Sequence, residues 1–455
     1  MQRSDAFFTK GIFMIDTAQT QKSIFPTFLK YVSANVLGMI GFSCYILADT
    51  FFIARGIGSD ALAALNLTLP AYSLMNGTGL MIGMGGAARY SLSFTHPDSR
   101  THRTVFTHAL LLAGIAALFF SLSGAFGAEM ISSALGADSE TIGYASDYIR
   151  ILLLFAPLFL GNNLLLCFVR NDGAPRISMT GMLVGSLANI VLDYIFIYPL
   201  DMGMAGAAIA TATAPVISML IMSTHFIKKN NQFHLTKIRL SFKQAADICS
   251  LGVSSLVLEL SSGIVIIVFN YLILKLNGNT GIAAYGILAN IALVLTSVFT
   301  GIAQGIQPIV SRNSGTDGKK NRNSVRKYAL ITSLLLALIS YLTISFFSVP
   351  IADAFNKDHD PVLTAIASTG MRIYFISLFF SGINIISSAF LSSCDKPKEA
   401  FLISVLRGFA LIIPAAWILS ALLGLTGIWL CLPVTEAVVC LLSLPFLFRK
   451  TSDRR

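Results

Sequence analysis

Charge is scarce in this sequence. Only 12% of its 455 residues are Asp, Glu, Lys or Arg, against about 25% in a soluble globular chain. So few polar side chains cannot cover a folded surface, and part of the solvent must be lipid. Catalytic signatures are missing as well. No GxxxxGK[ST] phosphate loop occurs, which argues against direct ATP driving, and no HExxH or GxSxG supports a membrane hydrolase. Cys44, Cys167, Cys249, Cys394, Cys431 and Cys440 form no CxxC pair and lie in or beside apolar segments. They read as small packing residues, with neither a disulfide framework nor a metal site. The apolar stretches of the first 25 residues are short and interrupted, so no cleavable signal peptide is expected.

What is present is long apolar sequence. Hydrophobic residues make up 55% of the chain, and the mean hydropathy is +0.74. A helix needs roughly 20 residues to cross a hydrocarbon core about 30 Å thick. Continuous apolar runs favour helices over the alternating strands of a barrel. Spans are expected near 31–53, 61–88, 105–126, 144–169, 177–198, 203–227, 247–272, 280–308, 328–350, 366–392, 401–421 and 425–448. The fold class is therefore an all-α polytopic membrane protein with 12 transmembrane helices.

The formal net charge of +10 does not point to nucleic acid, because the basic residues lie in short connections rather than on one domain. With the N-terminus inside, all but five of the 32 Lys and Arg residues fall on one side; the exceptions are Arg55, Arg150, Lys275, Lys357 and Arg372. Arg170 and Arg407 are counted among the basic connections. Such a bias orients the chain by the positive-inside rule, with both termini cytoplasmic.

The chain also repeats itself. Gly58, Ala63 and Ala64 recur as Gly278, Ala283 and Ala284, Arg150-Ile151 as Arg372-Ile373, Gly161 and Asn163 as Gly382 and Asn384, and Pro175 as Pro397. The matches keep their order at a nearly constant offset, the mark of an internal duplication. Six helices return the chain to its starting side, so two parallel six-helix lobes are expected, with a site near the midplane. The expected organisation is a cytoplasmic segment 1–30, a first lobe 31–227, a linker 228–246, a second lobe 247–448 and a cytoplasmic tail 449–455. Two such lobes around a cleft favour transport by alternating access.

Ionisable residues within a span are costly and usually face an interior cavity. Asp49 in "CYILADTFFIA" has no basic neighbour within a helical turn. Asn189 and Asp193 share one helical face by their i,i+4 spacing, and Thr211 in the next span offers a hydroxyl. Together these can hold a proton or a small hard cation. Glu259 and Glu436 are candidate cavity carboxylates of the second lobe, open to a positively charged substrate or a proton, and Asn163 and Asn384 join them as possible substrate or second-lobe ion residues. Asn189 and Thr211 also fit simple helix–helix bonding. Arg150 and Arg372 fit snorkelling to the headgroups. Gly79, Gly83, Gly85, Gly86, Gly301, Gly305 and Pro308 mark sites of close helix contact or bending.

Several segments carry a resemblance: "ADTFFIARGIGSDALAALNLTLP", "FVRNDGAP", "NIVLDYIFIYPLDMGMAGAAIAT", "AYGILAN" and "GIAQGIQPIVSRNSG". Over roughly residues 28–448 the chain resembles the bacterial branch of the multidrug and toxic compound extrusion (MATE) transporters. The resemblance implies a V-shaped pair of six-helix lobes. It implies export of cationic, often aromatic, drugs or metabolites in exchange for protons or sodium. It gives Asp49, Asn189, Asp193 and Thr211 the first-lobe cation-coupling role. Glu259 matches a seventh-helix glutamate of a branch with a second-lobe sodium site, but that branch also uses a tenth-helix aspartate. Asn384 is the polar residue here, which favours coupling through the first lobe.

The expected protein is thus a secondary antiporter of a bacterial inner membrane and not an enzyme. It needs no cofactor beyond the transported H+ or Na+, binds a small organic cation and no nucleic acid, and works as a monomer. A lipid-linked saccharide flippase of the same superfamily is the transport alternative; its pyrophosphate cargo wants a basic cavity, whereas the buried charge here reads as mainly acidic. A receptor or scaffold is the alternative without transport.

Overall fold

The computed structural model describes residues 24–94, 99–229, 231–238, 241–313, 318–356 and 360–448. The expected N-terminal segment up to residue 23, the tail 449–455, Arg239 and Lys357 lie outside the described residues.

Every element is helical. In chain order they are α1 (Phe25–Gly56), α2 (Ser59–Ser93), α3 (Ser99–Ala134), α4 (Ile142–Leu154), α5 (Ala156–Asn171), α6 (Pro175–Ile197), α7 (Gly203–Ile227) and α8 (Phe242–Arg312). Then come α9 (Lys319–Phe346), α10 (Ser348–Phe355), α11 (Pro361–Tyr374), α12 (Leu378–Ser393), α13 (Pro397–Val405), α14 (Ile412–Leu423) and α15 (Leu425–Phe448). Proline occupies the first turn of α1, α5, α6, α11 and α13. There its missing N–H breaks no helical bond and its fixed φ suits the helix.

Among the described residues, nine helices are long and apolar enough to cross a membrane. Counting α4 and α5, bent by 52° at their junction, as one broken span makes ten. Their outer faces are apolar: Phe126 is 88% exposed and Leu422 73%. Exposed apolar surface on this scale needs lipid around it. The protein is an all-α polytopic membrane protein.

The duplication is visible in the backbone. Gly58, between α1 and α2, has φ +130°. Its repeat counterpart Gly278 has φ +61° and breaks α8 in the middle. A straight helix of 71 residues would run about 107 Å, far beyond any bilayer. Glycine takes these left-handed angles at no steric cost. The break at Phe155 between α4 and α5 likewise recurs as the 3-10 turn Phe375–Ser377 between α11 and α12.

Two hydrophobic cores form. One draws on residues from Ile53 to Phe233 and adds Ile248; the other runs from Phe269 to Leu447 and adds Phe28, Tyr31 and Val32 of α1. The first turns of α1 thus pack on the second half of the chain, and α2 packs along α8. We call the end where α2, α5 and α7 finish and α8 begins the basic end, after its lysines and arginines. Here glycines let backbones touch. A Cβ at Gly301 would stand 2.6 Å from Val36 Cα, and one at Gly305 2.8 Å from Val32 Cα. Carbons on Gly85 and Gly252 would collide with the carbonyls of Ile248 and Met81. The glycines flagged in the sequence therefore seal α1 and α2 against α8. Gly79 and Gly83 instead face Asn163 on α5, and Gly86 faces Ala109 and Phe168.

Candidate functional site

Small residues bring α1, α6 and α7 together. Gly38 of α1 meets Met182, Gly41 meets Leu183, and Gly185 of α6 lies against the Ala214 carbonyl of α7. Their side chains would hold these helices apart. Without them, Asp49, Asn189, Asp193 and Thr211 gather at one place, all buried, with Asn189 and Asp193 fully so. With the Asn189 amide nitrogen facing Asp193, Nδ2 donates to Asp193 Oδ2 at 3.0 Å and Oδ1 accepts from the Thr211 N–H at 3.2 Å. Asp49 and Asp193 are close enough to feel each other's charge. One oxygen of each, Asp49 Oδ1 and Asp193 Oδ1, accepts no hydrogen bond from any described residue. Two carboxylates so placed in an apolar interior cannot both stay charged without a cation or a shared proton.

Three tyrosines close the site, and sequence reasoning missed them. Tyr148 of α4 lies near Thr211, Asp49 and Asp193. Tyr45, one turn before Asp49 on α1, lies with its hydroxyl 3.5 Å from that of Tyr72 on α2. Tyr45 feels Asp49, and Tyr72 feels both Asp49 and Glu259. The i,i+4 spacing of Tyr45 and Asp49 was a readable signal; nothing local marked Tyr72 or Tyr148.

The second-half candidates separate into two groups. Glu259 of α8 accepts from Asn76 Nδ2 at 3.0 Å, and Asn76 Oδ1 accepts from Asn163 Nδ2 at 2.8 Å. Asn163 therefore joins Glu259 through an unforeseen residue, Asn76, across the α2–α8 contact. Glu436 lies apart from them with Asn384, whose Nδ2 donates to Glu436 Oε2 at 2.6 Å. Arg407 completes that cluster as an ion pair with Glu436.

Two arginines assigned to connections add positive charge to the buried carboxylates. Arg407 lies inside the span Pro397–Leu423 rather than in a basic connection. Arg170, also assigned to a connection, is 1% exposed. Its Nη1 donates to Asn35 Oδ1 at 3.0 Å and to Gln304 Oε1 at 2.7 Å, tying α5 to α1 and α8. The next two residues continue the seal. Arg312 donates to the Asn171 carbonyl and stacks over Phe94 at 5.0 Å. Asp172 accepts from Tyr90 Oη at 2.7 Å and the Gln232 N–H at 2.9 Å, and pairs with His225 Nε2 at 2.8 Å.

The connection after α7 is anchored by this group. Phe233 is buried among Tyr90, Phe106, Phe168 and Phe226. It borders an apolar cavity of about 500 Å³ that none of the polar site residues lines. His108 is buried with Nδ1 at 2.9 Å from the Thr104 carbonyl. Arg150 and Arg372 are exposed at the end opposite the basic one.

The MatE family model matches residues 35–195 and again residues 253–418. The chain belongs to the MatE family. The double match agrees with the repeat in the backbone. As a MatE protein it is a membrane transporter and not an enzyme. It is 26% identical over 423 residues to the multidrug export protein MepA of Staphylococcus saprophyticus, covering 92% of this chain and 93% of that one. It is also 26% identical over 427 residues to MepA of Staphylococcus aureus strain MSSA476, covering 92% of each. Among solved structures, the outward-facing conformation of a multidrug resistance MATE family transporter of the MOP superfamily aligns with a TM-score of 0.85. That match has 23% identity and covers 92% of this chain and 94% of that one. A MOP superfamily transporter from Pyrococcus furiosus, described as having a binding pocket of reversed polarity, aligns with a TM-score of 0.84 at 22% identity, over 92% and 94%. These structures share the MATE fold with this chain.

Proposed function

We propose that this MatE transporter is a secondary active antiporter that exports cationic, often aromatic, drugs or metabolites in exchange for protons or sodium. The observation that carries the reading is the facing pair Asp49 and Asp193, each with an unpartnered oxygen in an apolar interior. The curated relatives named as multidrug export proteins support the cargo class. Loading of the pair by an ion neutralises it and lowers the affinity for a cationic cargo. Cargo leaves outward, the two halves rock, and the ion is released on the other side.

The architecture that suits this cycle is two parallel six-helix lobes, 31–227 and 247–448, joined by the linker 228–246. Twelve spans follow when α2 is counted, α4 with α5 makes one, and α8 is divided at Gly278. With the basic end cytoplasmic, the seal between α1, α2 and α8 closes the inner side and the cleft opens outward. The setting is a bacterial inner membrane, and the working unit is the monomer.

Reconstitution into proteoliposomes tests the exchange. A pH gradient or a sodium gradient imposed separately should drive uptake of an organic cation. Asp49→Asn and Asp193→Asn should each abolish the driven component at normal expression. Driven transport that survives both substitutions would remove the carboxylate pair from the mechanism. Movement of a lipid-linked oligosaccharide without organic-cation transport would replace the cargo class.

A further inference from the structure

The second half contains a buried ion pair that the exchange cycle does not use. Arg407 sits in a π-helical turn, Leu406–Ala410, between α13 and α14. Such a turn re-aims side chains inside a helix and is frequent at functional positions. Here it seats Gly408 against Ser261 of α8 and directs Arg407 to Glu436 of α15. Nε donates to Glu436 Oε1 at 3.2 Å and lies 3.4 Å from Oε2, while Nη2 also donates to Oε1. Asn384 Nδ2 donates to Oε2 at 2.6 Å and to the Glu436 carbonyl at 2.9 Å. Ser443 Oγ donates to Asn384 Oδ1 at 3.3 Å. The paired side chains are 9% and 3% exposed.

This cluster differs in kind from the first-half site. Asp49 and Asp193 each leave an oxygen without a donor. Both oxygens of Glu436 are engaged, and the positive charge that balances them is covalently part of the chain. We propose that Glu436 and Asn384 form a cation cage whose occupant is the protein's own guanidinium, so that Arg407 acts as a tethered cation and denies this site to free monovalent cations. Removing the tether leaves a site that takes guanidinium or an alkali cation. The consequence for transport, one exchangeable ion site per molecule, rests on the proposed role of Asp49 and Asp193. The cage itself does not, and it is tested without transport.

The experiment measures apparent Tm of the purified full-length protein carrying Asp49→Asn and Asp193→Asn, which silences the first-half site. Millimolar guanidinium, sodium and choline chlorides are compared at equal ionic strength. In that background Arg407→Ala should lower Tm by several degrees, because it strands the buried Glu436 carboxylate. Guanidinium should restore most of the loss in a saturable way, sodium a part, and choline none. Arg407→Ala combined with Glu436→Gln should respond to none of them. If Arg407→Ala responds to guanidinium no more than this combined variant does, the proposal is wrong. Should Arg407→Ala fail to accumulate, the combined variant decides. It must accumulate if the stranded carboxylate is the fault, and its failure would leave the Arg407 stem a packing role instead.

Discussion

The seal between α1 and α8 can be wedged open by a single methyl group. At Gly301 an added Cβ stands 2.6 Å from Val36 Cα, where ordinary contact begins at 3.4 Å. The helices must part there by the difference, roughly 0.8 Å, and overpacking of this kind typically costs about 1–3 kcal/mol. The nearest atoms are backbone atoms of Val36 and Asn35, so no side-chain rotation relieves the clash. Asn35 also holds Arg170, which bridges to Gln304, so the wedge strains the adjoining bond as well. The penalty falls only on the state closed at the basic end. A bias of about 1–3 kcal/mol shifts a two-state equilibrium about 5–150-fold. Ser311→Cys in a cysteine-free background reports the change, since Ser311 is fully buried near this seal and its hydroxyl has no described partner to lose. Labelling by an impermeant maleimide from the basic side should accelerate by that factor in Gly301→Ala, and export should slow. Gly286→Ala on the same helix meets open space and should change neither. Equal labelling rates in the two alanine variants would refute the wedge.

Two further substitutions test the basic end. Phe233→Ala should loosen the connection after α7, at a typical cost of about 3–5 kcal/mol for a buried aromatic. Limited proteolysis within 228–241 should then speed up, and unchanged protection would mean that Asp172, with Thr236, whose N–H donates to Thr107 Oγ1 at 3.1 Å, holds the connection without it. Arg170→Met should remove the bonds to Asn35 and Gln304 at about 1.5–3 kcal/mol for each bond to a charged group. Thermal unfolding in detergent should show a lowered Tm, and no change would place Arg170 outside the balance of the seal.

How far the sequence reaches depends on the range of each interaction. Spans follow from composition over about 20 residues, and the repeat from positions at fixed offset, so both were open to reading. The pairing of Asn189 with Asp193 follows from one helical turn. The meeting of Asp49 with Asp193 does not; it depends on Gly38, Gly41 and Gly185 letting three helices close up. Asn163 was singled out, but its partner Asn76 lies on another helix and Glu259 on a third. Arg170 went unrecognised as buried because a run of apolar residues ending in a basic one looks like the edge of a span, and Arg407, although within the expected span 401–421, was grouped with Lys396 and Lys398 just before it. Only the hydrogen-bond partners distinguish a buried guanidinium from one that snorkels.

The duplication fixes the scaffold and leaves the chemistry free to diverge. Gly58 and Gly278 both take a positive φ, +130° and +61°, because each must turn the chain between two spans. The candidate cation site had no such constraint. At the offset of Gly58 and Gly278 the counterpart of Asp49 is Phe269, and at that of Pro175 and Pro397 the counterpart of Asp193 is Ala415. Phe269 is buried in the second core, and Ala415 packs against it. The second half therefore keeps the helices but has apolar side chains where the first half has Asp49 and Asp193, and its carboxylate Glu436 faces an arginine. Glu259 follows a different route, since it bonds across to Asn76 and feels Tyr72, which in turn feels Asp49. The contacts of Glu259 thus run to the first half, while Glu436, Asn384 and Arg407 form a separate cluster in the second. Asp49 lies 17 residues beyond Val32 on one helix, about 25 Å away. A change in charge at Asp49 and a change in packing at the seal therefore act on the same helix, α1.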